Sequence, residues 1–371
     1  MQIDFHHAVT YIVARLAGLI HADAVIVAYA AQYVDDATNK GTIRFDNGQT
    51  YERIASAHDT FDVANHIHNG EDYQVWVPFH FLPGNNGVGV GADASGLPLI
   101  KRLICTPDSP LSNDMWAACR EKRGAHNHLH RLGITAHVYA DTFAHQLFAG
   151  VRNRANVVEE PKQIEPTCTD ITEKSALLPL EVIVASLNEL HLGHGAALTF
   201  PDLPFLKWNF RSTYWQGDVR NNPEEFLRAT QRLYEQFRYD LGTGELPLQA
   251  KDLTVFADMI SINGSKDAWY RHQQWLRLLR RESFSFAPLT DAEIADLAYA
   301  PKGPGSWKAT ALGTNKELDD VDDVFHYEPT FETSNWKLFH DALKEHQHEI
   351  LTAILPRYGL PATYADAVAR L

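Results

Sequence analysis

The sequence predicts a mainly α-helical protein, on three observations. Apolar residues recur every third or fourth position over long stretches. Capping residues punctuate those stretches. No series of alternating strands points to a sheet architecture. Residues 7–33 carry Val9, Ile12, Val13, Leu16, Leu19 and Ile20, then Val25, Ile26, Val27 and Tyr29. Gly18 and His21 predict a break between two helices. Residues 40–100 read as irregular, with a short strand-like run at Tyr73–Phe81. Gly84, Gly87, Gly89, Gly91 and Gly96 follow, but without a surrounding βαβ pattern they make no dinucleotide fingerprint. Helix returns over 109–150, a polar linker fills 151–175, and helix resumes over 176–192. Asn222-Pro223-Glu224-Glu225 is a helix start: an N-cap, proline at the first position, then acids. Further helices are expected over 252–283, over 290–300 after Leu289-Thr290-Asp291, and over 335–355. The Gly/Pro-rich, acidic segment 301–330 reads as loop. Residues 1–215 are expected to form a helical core, with 216–371 packed on it as one continuous domain.

Composition narrows the function. With 371 residues and 45% apolar content the chain can bury a sizeable core. Its 33 Lys and Arg against 47 Asp and Glu leave a formal charge of -14. That balance is poor for gripping a phosphate backbone non-specifically, though bound cations can dominate a local field. The cysteines, Cys105, Cys119 and Cys168, form no CxxC pair, which argues against a disulfide framework or a cysteine-type zinc site. The opening MQIDFHHAVTY lacks the pattern of a secretory signal, and no apolar stretch reaches the roughly 18 residues of a membrane span. The cytoplasm is the default expectation, with export by a route without a cleaved signal left open.

The 19 histidines matter for where they sit. In His137-Val-Tyr-Ala-Asp141-Thr-Phe-Ala-His145, His, Asp and His fall at i, i+4 and i+8, so they project from one helix face with a drift of about 80°. Oxygen and nitrogen donors on a rigid helix make a metal cradle, and the flanking Leu132, Ile134, Val138, Phe143 and Leu147 set them beside a buried face. Such a pattern alone is more often a helix surface, with Asp141 pairing to a histidine or to Arg131. Here related groups recur. His6 and His7 open the first helix. Asp35 and Asp36 end the second, where a helix dipole disfavours carboxylates unless a cation is present. His80 sits in Val-Pro-Phe-His-Phe-Leu-Pro-Gly, a setting that also suits a core histidine. His191 and His194 sit in His-Leu-Gly-His-Gly, with Asp202 eight residues beyond His194.

Together these residues resemble the zinc-dependent phospholipase C and single-strand-specific nuclease superfamily. His-His-Ala-Val-Thr-Tyr-Ile-Val-Ala is similar to that family's first helix, Tyr33-Val34-Asp35 to its Trp-Ala-Asp, His80-Phe81 to its His-Phe pair and His137-xxx-Asp141 to its central helix. The resemblance covers about residues 1–202. It implies a multi-helix bundle with long irregular loops and two or three Zn2+ ions, other divalent metals being possible. The implied ligands are the α-amine of Met1, His6, Asp35, His80, His137, Asp141, His145, His194 and Asp202. Two spacings depart from the family: His145 follows Asp141 by four residues rather than six, and His194 has Leu198 where an acid would close the last pair. The opening and the HFLPG segment also look like an uncharacterised bacterial family.

The expected activity is hydrolysis of phosphate esters, phospholipase C-like or nuclease-like. Asp35 or Asp141 would bridge metals, and Asp35 would orient the attacking water as general base. The substrate would be a small phosphodiester, a phospholipid headgroup or single-stranded nucleic acid. Tyr33 or Phe81 would wall the pocket. The aromatic run from Phe205 to Trp215 reads first as core and second as a surface for a base or lipid chain. Two alternatives stand beside this. One is an HD-type phosphohydrolase using His58-Asp59 or His340-Asp341, the latter more simply a solvated helix face. The other is a binding protein that keeps metals for structure. His346 and His348 read as surface.

Overall fold

The apolar stripes fold as helices in the order the sequence sets. The structure, a computed structural model, describes residues 1–58, 71–165, 191–215, 219–262 and 264–371. A π-type turn, Asp4–Val9, runs into α1 (Thr10–Ala17), which stops at Gly18. The left-handed φ of 119° at Gly18 is open to glycine at little cost. The predicted break follows, and α2 (His21–Asp36) returns along α1. Residues 40–58 are less irregular than expected: β1 (Gly41–Phe45) and β2 (Thr50–Arg53) form an antiparallel hairpin with Gly41 opposite Arg53.

The run at 73–81 is helical, not strand-like: α3 spans Glu71–Phe79 with Pro78 in its last turn. Tyr73, Val75, Val77, Phe79 and Phe81 are all buried, and a short apolar run buried on most sides carries no usable period. Beyond it lie α4 (Leu99–Leu103), α5 (Pro110–Glu121) and α6 (His128–Ala144). The expected linker contains β3 (Glu159–Glu165), an edge strand beside β4 (Lys207–Arg211) and β5 (Arg220–Asn221) in the order β3-β4-β5. Its charged residues and Pro161 hide it from a hydrophobicity reading and suit an edge. Most of the helix expected at 176–192, together with Cys168 and Asp59, lies outside the described residues.

In α7 (Asn222–Leu241) Asn222 is the first helical residue rather than the cap. Its buried amide donates to the carbonyls of Phe200 and Leu203 (2.7 and 2.8 Å) and accepts from Trp208 Nε1 (3.1 Å). Then come α8 (Ala250–Ile262), α9 (Ala268–Leu278), α10 (Asp291–Asp296), α11 (Trp307–Leu312), α12 (Asn335–Glu349), α13 (Leu355–Arg357) and α14 (Tyr364–Arg370). The segment read as loop thus holds α11 and β6 (Val324–Phe325), which adds parallel to β1. Among the described residues no helix is long and apolar enough to cross a membrane.

The architecture is mainly α, with two small three-stranded sheets among the described residues. One cluster of buried side chains joins Phe5, Ile12 and Val27 to Ile134, Phe226, Trp275, Trp336 and Phe339. A smaller one gathers Phe81, Phe148, Phe205, Trp208 and Phe210, which assigns the inner part of the aromatic run to core. His340 and His346 are buried, against expectation. The ring of His346 stacks on Phe79 at 5.6 Å and bonds to the Pro78 carbonyl at 2.9 Å, because α12 packs against both α3 and α6.

The contact between α2 and α6 positions the rest. α2 presents Ala24, Val27, Ala28, Ala30 and Ala31, and α6 meets it at Gly133. A Cβ on Gly133 would stand 2.4 Å from the Val27 carbonyl oxygen and 2.7 Å from Ala30 Cβ. Gly133→Ala is therefore expected to force the helices apart and cost about 1–3 kcal/mol, read as a lowered Tm. A second expectation concerns acid. Burial pushes His130 down to about 4 and His340 to about 3. Both fold as neutral rings, so their contribution is complete above the unfolded value near 6.5 and is lost as pH falls toward 4 and 3. Each should remove about 1.4 kcal/mol per pH unit in that window. Tm measured from pH 7 to pH 4 should fall, and less steeply in His130→Gln.

Candidate metal centre

α6 carries the centre. Four-residue spacing stacks His137 over Asp141, and His145 takes the C-cap position one turn on. Both flanking helices bring a donor to the same spot: α2 carries Asp35 one residue before its end, and α3 ends just before His80. His137 Nε2 lies 3.3 Å from Asp141 Oδ2, His80 Nδ1 lies 3.4 Å from the same oxygen, and the two nitrogens are 3.4 Å apart. Asp35 Oδ1 stands over this triangle, 3.7 Å from His137 Nε2 and 3.8 Å from His80 Nδ1.

The outer side of each ring fixes which nitrogen faces inward. His137 Nδ1 donates to the Ala31 carbonyl at 2.7 Å and His80 Nε2 to the Ser56 carbonyl at 2.8 Å. His145 Nδ1 donates to the His80 carbonyl at 2.8 Å and His194 Nδ1 to the Leu198 carbonyl at 3.0 Å. A carbonyl only accepts, so each ring spends its proton outward and a neutral ring turns a lone pair inward. The inward atoms are then acceptors facing carboxylate oxygens, which also accept. His6 adds to this: it is 0% exposed, and neither ring nitrogen has a hydrogen-bond partner.

The other end of the centre is built on Met1 and the 194–202 loop. The Met1 ammonium donates to Asp141 Oδ1 at 2.6 Å and lies 3.2 Å from Asp202 Oδ1. His6 Nε2 is 3.2 Å from Asp141 Oδ1, and its ring stacks on His137 at 3.8 Å. His145 Nε2 lies 3.3 Å from Asp202 Oδ1 and His194 Nε2 3.6 Å from Asp202 Oδ2. Short 3-10 turns at Gly195–Ala197 and Phe200–Asp202 fold the chain back, so an interval of eight residues closes a pair that no continuous helix would. Among the described residues three donor groups have their atoms within 4.8 Å of one another: His6, Asp35 and His137; His80, His137 and Asp141; and His145, His194 and Asp202.

Electrostatics follow from burial and charge. Burial disfavours the Met1 ammonium, but Asp141, Asp202 and Asp35 outweigh it and push the amine up to about 11. Burial also opposes the Asp141 carboxylate, yet His145, the Met1 ammonium, His137 and His6 hold it well below the usual range. Burial pushes His6 and His194 down to about 4. For His80, burial is outweighed by Asp141 and Asp35, and its value is raised. The cluster holds three carboxylates, Asp35, Asp141 and Asp202, against one ammonium.

All nine residues expected in the centre therefore meet there. Several neighbours do not. His7 turns away to His272, with Nδ1 3.0 Å from His272 Nε2, and Asp36 accepts from Tyr299 Oη at 2.6 Å. His191 stands in the left-handed region (φ 51°), and its carbonyl is taken by Asn153 and Asn156. Tyr33 packs against Phe339 and Trp307 in the core rather than on the centre, whereas Phe81 stacks on His145 at 4.8 Å. His340 packs on Trp336, and Asp341 is taken by Lys337, Lys344 and Tyr51, so among the described residues this pair forms no metal cluster. His58 lies against Trp76, and its partner Asp59 is not among the described residues. Two supports were invisible in the sequence. Backbone carbonyls orient the rings, and Arg220 donates to the carbonyls of Ala144 and Gln146, both at 3.2 Å, bracketing His145.

The model of a family of unknown function, DUF6765, matches residues 1–354, and the chain belongs to that family. No curated protein and no solved structure matches it.

Proposed function

We propose that this DUF6765 protein is a metal-dependent hydrolase of phosphate esters, holding two or three divalent cations around Asp141. One observation carries the metal reading: the triangle of His80 Nδ1, His137 Nε2 and Asp141 Oδ2, with edges of 3.3 to 3.4 Å. Ligands about 2.1 Å from a tetrahedral cation are about 3.4 Å from each other. These acceptors thus stand at the separation a shared cation requires, with Asp35 Oδ1 3.7 and 3.8 Å from the two ring nitrogens. The unpartnered His6 ring and the excess of carboxylates fit the same reading. Imidazole and carboxylate donors suit zinc, and the sequence order of the ligands resembles the zinc-dependent phospholipase C and nuclease superfamily.

Divalent cations held there would lower the pKa of a bound water and neutralise charge on a phosphoryl group. The chain's own groups divide the remaining work. Asp141, 1% exposed, serves both ends, with Oδ1 toward Met1 and His6 and Oδ2 toward His80, His137 and His145. The side chain of Asp35 is 31% exposed, which makes it the carboxylate best placed to accept a proton from an attacking water. The negative net charge favours a small phosphodiester or a phospholipid headgroup over long single-stranded nucleic acid. The deep burial of His6, His137 and Asp141 supports a second reading, in which the cations only stabilise the fold.

Metal analysis of the purified chain is expected to find two to three zinc ions. Burial has already left His6 and His194 neutral at pH 7, whereas the amine must lose a proton to ligate. Zinc binding near pH 7.5 should therefore release at least one proton per chain, and affinity should rise with pH. Residues added before Met1 should remove about one ion. Asp141→Asn should weaken binding by more than about 100-fold. The metal-loaded chain should hydrolyse bis-p-nitrophenyl phosphate, and the stripped chain should not. A chain that takes up no divalent metal would sink both readings. Stoichiometric metal without turnover of that ester, a phospholipid or single-stranded DNA would leave only the structural one.

A further inference from the structure

Away from the metal centre, a charged group stands in the core without a partner. Arg131 lies on α6 and is 1% exposed, and Nε, Nη1 and Nη2 all lack a hydrogen-bond partner. Its surroundings come from three helices. From α5 comes the Cys119 thiol, pushed up to about 11 by burial and so uncharged at neutral pH. One turn along α6, the Thr135 hydroxyl interacts with that thiol, a weak partner, and makes no hydrogen bond to a nitrogen or oxygen among the described residues. From α12 comes His346, whose Nε2 is spent on the Pro78 carbonyl and whose Nδ1 has no partner. Glu345 and Glu349 on α12 act on Arg131 through their charge, but neither comes within ion-pair distance of it, and Glu345 Oε1 accepts from Asn127 at 3.0 Å.

A guanidinium keeps its proton inside a protein, so five N–H donors and a full positive charge face this junction. Water can accept the hydrogen bonds but brings no counter-charge, and an unpaired buried cation is among the costliest arrangements a core can hold. We propose that Arg131 and Thr135, walled by Cys119 and His346, form a buried site for a compact monovalent anion of the halide class. Cys119, Thr135 and His346 are each 0% exposed, so an anion held there gives up its hydration, which favours a weakly hydrated monatomic ion over an oxyanion. The site would tie α5, α6 and α12 together below the metal centre, since α6 carries Arg131 and His137 less than two turns apart.

The test uses the full chain crystallised in bromide, with diffraction recorded at the bromine edge. An anomalous peak within about 3.5 Å of the Arg131 guanidinium is expected, and it should vanish in Arg131→Met. In solution, Tm should rise saturably with bromide or chloride over gluconate at matched ionic strength, and Arg131→Met should abolish that rise. The wild-type crystal decides even where the variant folds poorly. No peak at Arg131, with the guanidinium meeting a Glu345 or Glu349 carboxylate or water alone, would overturn the proposal. Neither result depends on whether the metal centre is catalytic.

Discussion

The Asp141 carboxylate is the group on which the arrangement turns. A carboxylate removed from water must be surrounded by charge or donors or it will not stay ionised. Here the Met1 ammonium supplies both at 2.6 Å, and the opening π-type turn, the end of α3 and α6 itself each bring a ring nitrogen to within 3.6 Å of the carboxylate. Those elements reach one point only because the helices approach closely. The small faces of α2 and α6 at Gly133 let His137 touch a backbone carbonyl of its neighbour. Small residues at this contact let the chain's most polar ones meet inside.

The imidazoles show how a largely hydrophobic scaffold sets electrostatics without spending charged side chains. Four of the five rings are anchored outward, each on a main-chain carbonyl from a different segment: Ala31, Ser56, His80 and Leu198. The anchors fix tautomer and orientation together, so the inward lone pairs follow from backbone geometry rather than from a further shell of acids. Arg220 works the same way, holding the carbonyls on either side of His145. Ring positions are therefore coupled to helix placement, and a shift in α2 or α3 changes the centre as surely as a substitution within it.

Much of this was legible in the sequence, for identifiable reasons. His137 and Asp141 were readable because four-residue spacing has one meaning on a helix. Asp35 stood out because a carboxylate at a helix C-terminus is electrostatically misplaced. The pairing of His194 with Asp202 could be named but not explained, since only the two 3-10 turns make an eight-residue interval close. The α3 segment was misread because burial on most sides erases periodicity. The strand β3 was missed because an edge strand has few apolar residues to show. His346 reads as surface in the sequence because α12 packs against two elements at once, which no single-helix pattern reveals. Nothing in the sequence marks Ala31, Ser56 or Leu198, because a carbonyl has no letter of its own.

Exposure within the centre is uneven, and the unevenness orders what each part can do. His6, His137 and Asp141 are 0%, 0% and 1% exposed, whereas the side chains of Asp35 and His194 are 31% and 19% exposed and that of Asp202 is 10%. Solvent therefore meets the cluster at the Asp35 side and at the His194 and Asp202 side, with Asp141 sealed between. A ligand arriving at either opening would meet a carboxylate before it met Asp141, and would be repelled if anionic unless cations stood between them. On the proposed reading, bound metal is what makes an anionic substrate compatible with a carboxylate-lined mouth. On that reading too, the same ions that satisfy the buried acceptors make the entrance passable to a phosphate ester.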